Sequence, residues 1–164
     1  MTFVLITKGF LNFHNRKKYG VYVFHQMVQK LQKKHNIEGN IAVMAGPSLL
    51  YDIINKNYIL FDIALNSVDF YNLLKIIFHQ PYIYFSSHND LLSAELGGIL
   101  KNPVAILQGM VSSLPSVGSS ILGELSAKAF MEMLTFAKEL GASEKILFGR
   151  SGLSDFMATV FSPL

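Results

Sequence analysis

Apolar residues follow two rhythms along this chain, and the change falls near Ser86–Asn89. Before it, short unbroken apolar runs alternate with segments of helical spacing. Thr2 to Thr7 and Ile41 to Ala45 read as strands, ended by Lys8-Gly9 and by Gly46-Pro47-Ser48. Tyr58 to Leu65 and Pro81 to Ser86 are two more such runs. Between them Val23, Met27, Val28 and Leu31 recur at helical spacing, which predicts a helix over Tyr19 to His35 after a polar loop from Asn12 to Lys18. Ser48 stands ahead of a short helix through Leu49, Leu50, Ile53 and Ile54, and Ser67 ahead of one from Val68 to His79. Strands that are apolar throughout are typical of a parallel sheet covered on both faces.

After Ser87 the pattern is helical to the end. A long helix is expected over Asn89 to Leu114 with Pro103 inside it, and a loop over Pro115 to Ser120. A second helix follows over Ile121 to Leu140, closed by Gly141. A short helix runs from Ser143 to Phe148, and a last one to about Val160. The expected fold class is therefore α/β followed by all-α, with one domain over residues 1–87 and another over 88–164.

Composition narrows the chemistry. The chain has 164 residues, half of them hydrophobic and 15% charged, which supports a packed core rather than disorder. It contains no cysteine, so disulfides, thiolate metal sites and a cysteine nucleophile are excluded. Its five histidines form no HxxH or HExxH pair, and no metal site is expected. The net charge of +3 is too small to signal nucleic-acid binding. The basic cluster Arg16, Lys17, Lys18, Lys30, Lys33 and Lys34 reads first as a solvated helix face. No apolar run approaches the roughly 18–20 residues of a membrane span. A cytoplasmic protein is expected.

One stretch gathers chemistry: Glu95-Leu96-Gly97-Gly98-Ile99-Leu100-Lys101-Asn102. A helix interior rarely keeps Gly-Gly, which costs about 1 kcal/mol per residue against alanine. The pair predicts that something approaches the backbone closely there. Lys101 lies on a neighbouring part of the same helix face. Ligands of open α/β sheets bind beyond the carboxyl ends of the strands, so Lys8-Gly9 and Gly46-Pro47-Ser48 are the other candidate site segments.

The order of these segments resembles the NAD(P)-dependent glycerol-3-phosphate dehydrogenase family. The residues that carry the resemblance are Thr7-Lys8-Gly9, Ala45-Gly46-Pro47-Ser48, Glu95 to Asn102, Glu132-Met133, and Gly152-Leu153-Ser154-Asp155 with Thr159. The resemblance implies a Rossmann-like parallel sheet domain, represented here by its C-terminal part, joined to a helical catalytic domain. It implies hydride transfer between NAD(P)H and dihydroxyacetone phosphate, giving sn-glycerol 3-phosphate. It further implies Lys101 as the acid/base group at the reacting oxygen, with Lys8, Gly46, Ser48, Asn102, Asp155 and Thr159 lining the substrate pocket. Lys8 and Leu50 are implied on the cofactor side, with NAD or NADP as cofactor. A buried lysine shifts its pKa readily, and an ammonium can stabilise and protonate a developing oxyanion. Ser48 also reads as a plain helix cap, and Thr159 as a helix residue bonded to its own backbone.

The sequence departs from that family's pattern at named places. No GxGxxG turn occurs, and the chain reaches Leu164 where the family continues with Ser-Arg-Asn. Leu50 stands in place of an alanine, Ser154 in place of a glycine, Ser120 where asparagine is usual, and Pro103 follows the Lys101-Asn102 pair. The expected partners are a small phosphate-bearing substrate and either a second copy or a separately encoded N-terminal segment, with no nucleic acid and no membrane. The alternative reading is a catalytically inactive remnant or an interaction module of the same fold.

Overall fold

The computed structural model describes residues 2–15 and 18–162. Arg16 and Lys17 of the basic cluster lie outside them. In chain order the described elements are β1 (Thr2–Leu5), β2 (Leu11–Asn15), β3 (Lys18–Tyr22), α1 (Phe24–His35), β4 (Asn40–Ala45), α2 (Leu50–Ile54), β5 (Ile59–Leu65), α3 (Val68–Ile77) and β6 (Ile83–His88). Helices α4 (Leu91–Ser112), α5 (Ser119–Glu139) and α6 (Glu144–Leu147) follow, then a π turn (Arg150–Ser154) that runs straight into α7 (Asp155–Val160). The expected class, α/β and then all-α, is the observed one.

The main sheet has the order β1-β4-β5-β6. Strands β1 and β4 are parallel, as are β5 and β6, with Leu5 opposite Val43 and Asp62 opposite Ser86. Strands β4 and β5 are antiparallel, with Ala45 opposite Asp62. The parallel sheet expected from the apolar runs is present as a mixed one, and the β4–β5 pairing is the departure from it. A parallel crossover needs a helix that packs back onto the sheet, and α2 buries none of its five residues. The chain therefore turns back beside β4 instead of crossing over.

A second correction concerns residues 11–22. Within them β2 and β3 pair antiparallel, with Leu11 opposite Tyr22, and α1 starts only at Phe24. Tyr19, Val21 and Tyr22 favour strands, and Gly20 among them is a poor helix residue. Ser48 is not a helix cap: α2 begins from Leu49, and the Ser48 hydroxyl donates to the Gly46 carbonyl at 3.4 Å. Ser67 does cap α3, accepting from Phe70 N at 3.3 Å.

Alternation along the strands splits the core between two faces. Ala42, Ile59, Phe61, Ile63 and Leu65 pack with Phe70 and Leu74 of α3. Val43, Ala45 and Ala64 face the other way and meet Ala94 of α4. Small residues on that face let α4 lie close to the sheet. A third cluster joins Leu96 and Ile99 of α4 to Phe130, Met133 and Leu134 of α5, Leu147 of α6 and Phe156 of α7. Helix α4 thus has one face on the sheet and another in the helical core. It continues through Pro103, whose ring nitrogen cannot bond the Ile99 carbonyl.

Candidate functional site

Two glycines let the site form. A Cβ on Gly97 would stand 2.0 Å from the Ser151 carbonyl oxygen and 3.0 Å from Gly152 Cα. Only glycine admits the π turn this close to α4. A Cβ on Gly98 would stand 3.1 Å from Lys8 Cε, so the second glycine makes room for the lysine stem arriving from β1. The close approach expected from the Gly-Gly pair is real, and it has two separate occupants.

The π turn delivers Asp155 at the start of α7, 1% exposed. Lys101, four residues after Gly97 on α4, is buried and donates to Asp155 Oδ1 at 2.6 Å and to Thr159 Oγ1 at 2.6 Å. Lys8 Nζ approaches the other carboxylate oxygen, Oδ2, at 3.4 Å, with its side chain a third exposed. The Thr159 hydroxyl donates to the Asp155 carbonyl at 2.8 Å. Its oxygen is left to accept from Lys101, so the back-bonded reading and the site reading of Thr159 hold together. One carboxylate therefore faces two ammonium groups, one buried and one open to solvent.

Burial pushes the Lys101 ammonium below the ordinary lysine value of 10.5. The hydrogen bond and charge of Asp155 oppose this, and the Lys8 charge lowers it further. A lysine so placed can give up and take back a proton more readily than a surface lysine. Lys8 is the more accessible cation and suits a fixed anionic group.

The other sequence-derived residues lie around this cluster without joining it. Gly46 sits at the end of β4 with φ +137°, where a Cβ would meet Phe61 Cα at 2.9 Å. Asn102 and Ser48 are exposed, and Leu50 is 71% exposed on α2. No group of three or more metal-ligating side chains occurs among the described residues. No described helix is long and apolar enough to cross a membrane.

Two charged constellations were not singled out in the sequence. Glu95, inside the eight-residue stretch, accepts from His25 N at 3.1 Å and meets His25 Nδ1 at 2.5 Å, tying the start of α1 to α4. Asp62 on β5 bonds the Ser86 hydroxyl at 2.6 Å, the Ser151 hydroxyl at 3.2 Å and Arg150 Nη1 at 3.4 Å. The available signal was Asp62 itself, an acid inside the apolar run Tyr58 to Leu65. A buried charge there requires partners.

Comparison with known proteins finds glycerol-3-phosphate dehydrogenases. Residues 90–164 match the family model of the NAD-dependent glycerol-3-phosphate dehydrogenase C-terminus. A glycerol-3-phosphate dehydrogenase [NAD(P)+] of Staphylococcus epidermidis is 27% identical over 161 residues, 98% of this chain and 46% of the relative. Another, from Erythrobacter litoralis, is 30% identical over 125 residues, 76% of this chain and 38% of the relative. The solved structure of DsGPDH of Dunaliella salina superposes with a TM-score of 0.82 at 24% identity, over 98% of this chain and 26% of that one. The chain spans about half the length, 46%, of the first of these relatives. By sequence the chain is similar to the glycerol-3-phosphate dehydrogenases, and residues 90–164 match the model of that family's C-terminal region.

Proposed function

We propose that this chain supplies the substrate-binding and proton-transferring part of a glycerol-3-phosphate dehydrogenase, acting on dihydroxyacetone phosphate and sn-glycerol 3-phosphate. The observation that carries the reading is the buried Lys101 held at 2.6 Å from Asp155, with Lys8 open beside it. Residues 1–87 form the part of a nucleotide-binding domain present here, and residues 88–164 the substrate domain. The setting in the cytoplasm and the assembly with a second copy belong to the same reading.

Each residue has a physical role in it. Lys101 donates toward the carbonyl oxygen of the ketone, stabilises the negative charge that develops there, and hands over a proton. Asp155 holds the ammonium in place and favours its charged form, and the proton given up in each transfer is replaced from water. Thr159 fixes the ammonium from the other side. Lys8, more exposed, meets the anionic end of the substrate or of the cofactor. Asn102, on the next position of α4, and Gly46 with Ser48 at the strand end are assigned to the substrate's surroundings in the same reading.

Cofactor fit can be judged from the groups present. In this reading the part-exposed Lys8 and the exposed Leu50 face the nicotinamide end of NAD or NADP. No glycine-rich phosphate turn occurs in these 164 residues. The chain's own contribution is confined to Lys8 and Leu50. The cofactor, when bound, supplies the hydride.

The test is to mix the purified chain with dihydroxyacetone phosphate and NADH or NADPH and follow cofactor absorbance. The assay is repeated after adding a nucleotide-binding segment of a relative. Turnover that Lys101→Ala abolishes supports the reading. No turnover in either arm, together with no binding of glycerol 3-phosphate by calorimetry, sinks it. A second reading, a non-catalytic interaction module of this fold, is favoured by the exposed apolar side chains of α2. Leu50, Tyr51 and Ile54 are 71%, 73% and 69% exposed. Binding of a partner polypeptide by a chain with neither turnover nor substrate affinity would favour it.

A further inference from the structure

The Asp62 cluster lies on the side of the sheet that faces the π turn. Asp62 is 7% exposed, and its two carboxylate oxygens divide their partners. Oδ1 takes the Ser86 hydroxyl from the neighbouring strand β6 and the Arg150 guanidinium, while Oδ2 takes the Ser151 hydroxyl. Arg150 also donates to the Ser86 hydroxyl. One acid on the sheet therefore grips two consecutive residues of the π turn, Arg150 and Ser151. Ser151 is fully buried.

From the opposite side the same turn is pressed onto α4. The Ser151 carbonyl occupies the space a Cβ of Gly97 would need. Ser151 is thus fixed by its hydroxyl to the sheet and by its carbonyl against α4. Only Gly152, Leu153 and Ser154 separate it from Asp155, and no break intervenes between the π turn and α7. Gly97 and Lys101 lie one helical turn apart on α4. A turn anchored at Ser151 therefore sets where the Asp155 carboxylate meets Lys101. The π geometry fits this, since an extra residue in a helical turn re-aims the side chains that follow it.

We infer that Asp62 and Arg150 form a positioning clamp, which grips the π turn through Ser151 and holds Asp155 in register with Lys101. Neither residue touches the ammonium of Lys101. The groups that face that ammonium are Asp155, Thr159 and Lys8, and those that face Asp62 are Arg150, Ser86, Ser151 and, through its charge, His88. The clamp stands on the geometry of Lys101 and Asp155 and does not require the dehydrogenase reading. A chain without turnover would leave it open to the same test.

The test reads Lys101 directly in the full chain. Lysines are labelled biosynthetically with carbon-13 and nitrogen-15, and the Lys101 Cε–Nζ resonance is identified by its loss in Lys101→Arg. Its titration is then followed by NMR in the parent and in Asp62→Asn, Ser151→Ala and Arg150→Gln. Glu124→Gln, which removes an exposed partner of Lys128, is the control. With the clamp released, Asp155 draws back and the burial of Lys101 goes unopposed. The expected result is a proton affinity at Lys101 about tenfold lower in Asp62→Asn and Ser151→Ala, a change of one pKa unit. Arg150→Lys should restore most of what Arg150→Gln loses, and the control should change nothing. Folded Asp62→Asn and Ser151→Ala chains whose Lys101 titrates as in the parent would overturn the clamp. Unfolding of Ser151→Ala, which lacks only one hydroxyl, would overturn it too, by making the cluster an element of folding rather than of positioning.

Discussion

Lys101 Nζ and Asp155 Oδ1 lie 2.6 Å apart, both buried, on helices that the chain reaches 54 positions apart. Neither charge is sustainable there without the other. Removing one partner of a buried pair leaves an uncompensated charge and typically costs about 3–5 kcal/mol, whereas replacing both with apolar residues is often neutral. Asp155→Ala should therefore destabilise the chain by about that amount, and Lys101→Met with Asp155→Leu should recover most of it. Denaturant unfolding of the two single variants and the double variant measures the difference. Additive losses would show that the two groups are not coupled.

Glycines 97 and 98 should respond differently to the same substitution. Gly97→Ala drives a methyl to 2.0 Å from a backbone oxygen that the π turn cannot move freely. A loss of several kcal/mol is expected, in the range of severe overpacking. Gly98→Ala meets the Lys8 stem at 3.1 Å, and a flexible side chain can yield. The gain of about 1 kcal/mol in helix propensity then offsets much of the strain. Thermal melts should rank Gly97→Ala far below Gly98→Ala.

The depressed proton affinity of Lys101 has a pH signature. Its folded value lies below the ordinary 10.5 because burial outweighs the help of Asp155. Between the folded value and 10.5 the unfolded chain binds the proton more tightly than the folded one. Stability from this group therefore rises with pH across that window. Lys101→Met should flatten the part of the stability profile that lies just below pH 10.5. A profile identical in parent and variant would contradict the assignment.

His88 should act in the same sense at acid pH. Burial holds its folded value below 6.5, against the raising effect of Asp62 and Asp90. Its Nδ1 accepts from Asp90 N at 3.2 Å, and its Nε2 is buried without a partner. As pH falls below 6.5 the unfolded chain takes up a proton that the folded chain resists, and stability declines. His88→Asn should reduce the acid sensitivity seen by unfolding at about pH 5 and pH 7.

Glu95 carries a third buried requirement. It is 4% exposed and accepts both the backbone N–H and the ring nitrogen of His25. Glu95→Ala would strand these groups at a cost of about 1–3 kcal/mol, and Glu95→Gln should cost less because an acceptor remains. Hydrogen exchange at the start of α1 should report the loss locally.

Much of the architecture was legible in the sequence because it is written locally. The apolar runs gave β1, β4, β5 and β6, and the helical spacing gave α3, α4 and α5, since periodicity and the placement of Ser67 and Gly141 are properties of neighbouring residues. Gly97-Gly98 announced a close approach because nothing local excuses two glycines inside a helix. The pairing of β2 with β3 was not read in advance, because the helical spacing that starts at Val23 masked the strand preference of Tyr19, Val21 and Tyr22. The antiparallel pairing of β4 with β5 was equally hidden, because a buried strand has the same composition in either direction.

Around Lys101 the division is sharper. Sequence named Lys101, Lys8, Asp155 and Thr159 through motif order, and by itself determined that the chain could carry a lysine-centred site on a glycine-bearing helix. Only the tertiary structure decided that Lys101 and Lys8 share the Asp155 carboxylate while Thr159 takes the Lys101 ammonium, with Asn102, Ser48 and Leu50 outside these contacts. It alone decided which backbone fills the space each glycine leaves, the Ser151 carbonyl at Gly97 and the Lys8 stem at Gly98. Residue type fixes what a group can do, but its charge state and partners depend on distance and burial, and those arise when segments remote in sequence are packed together.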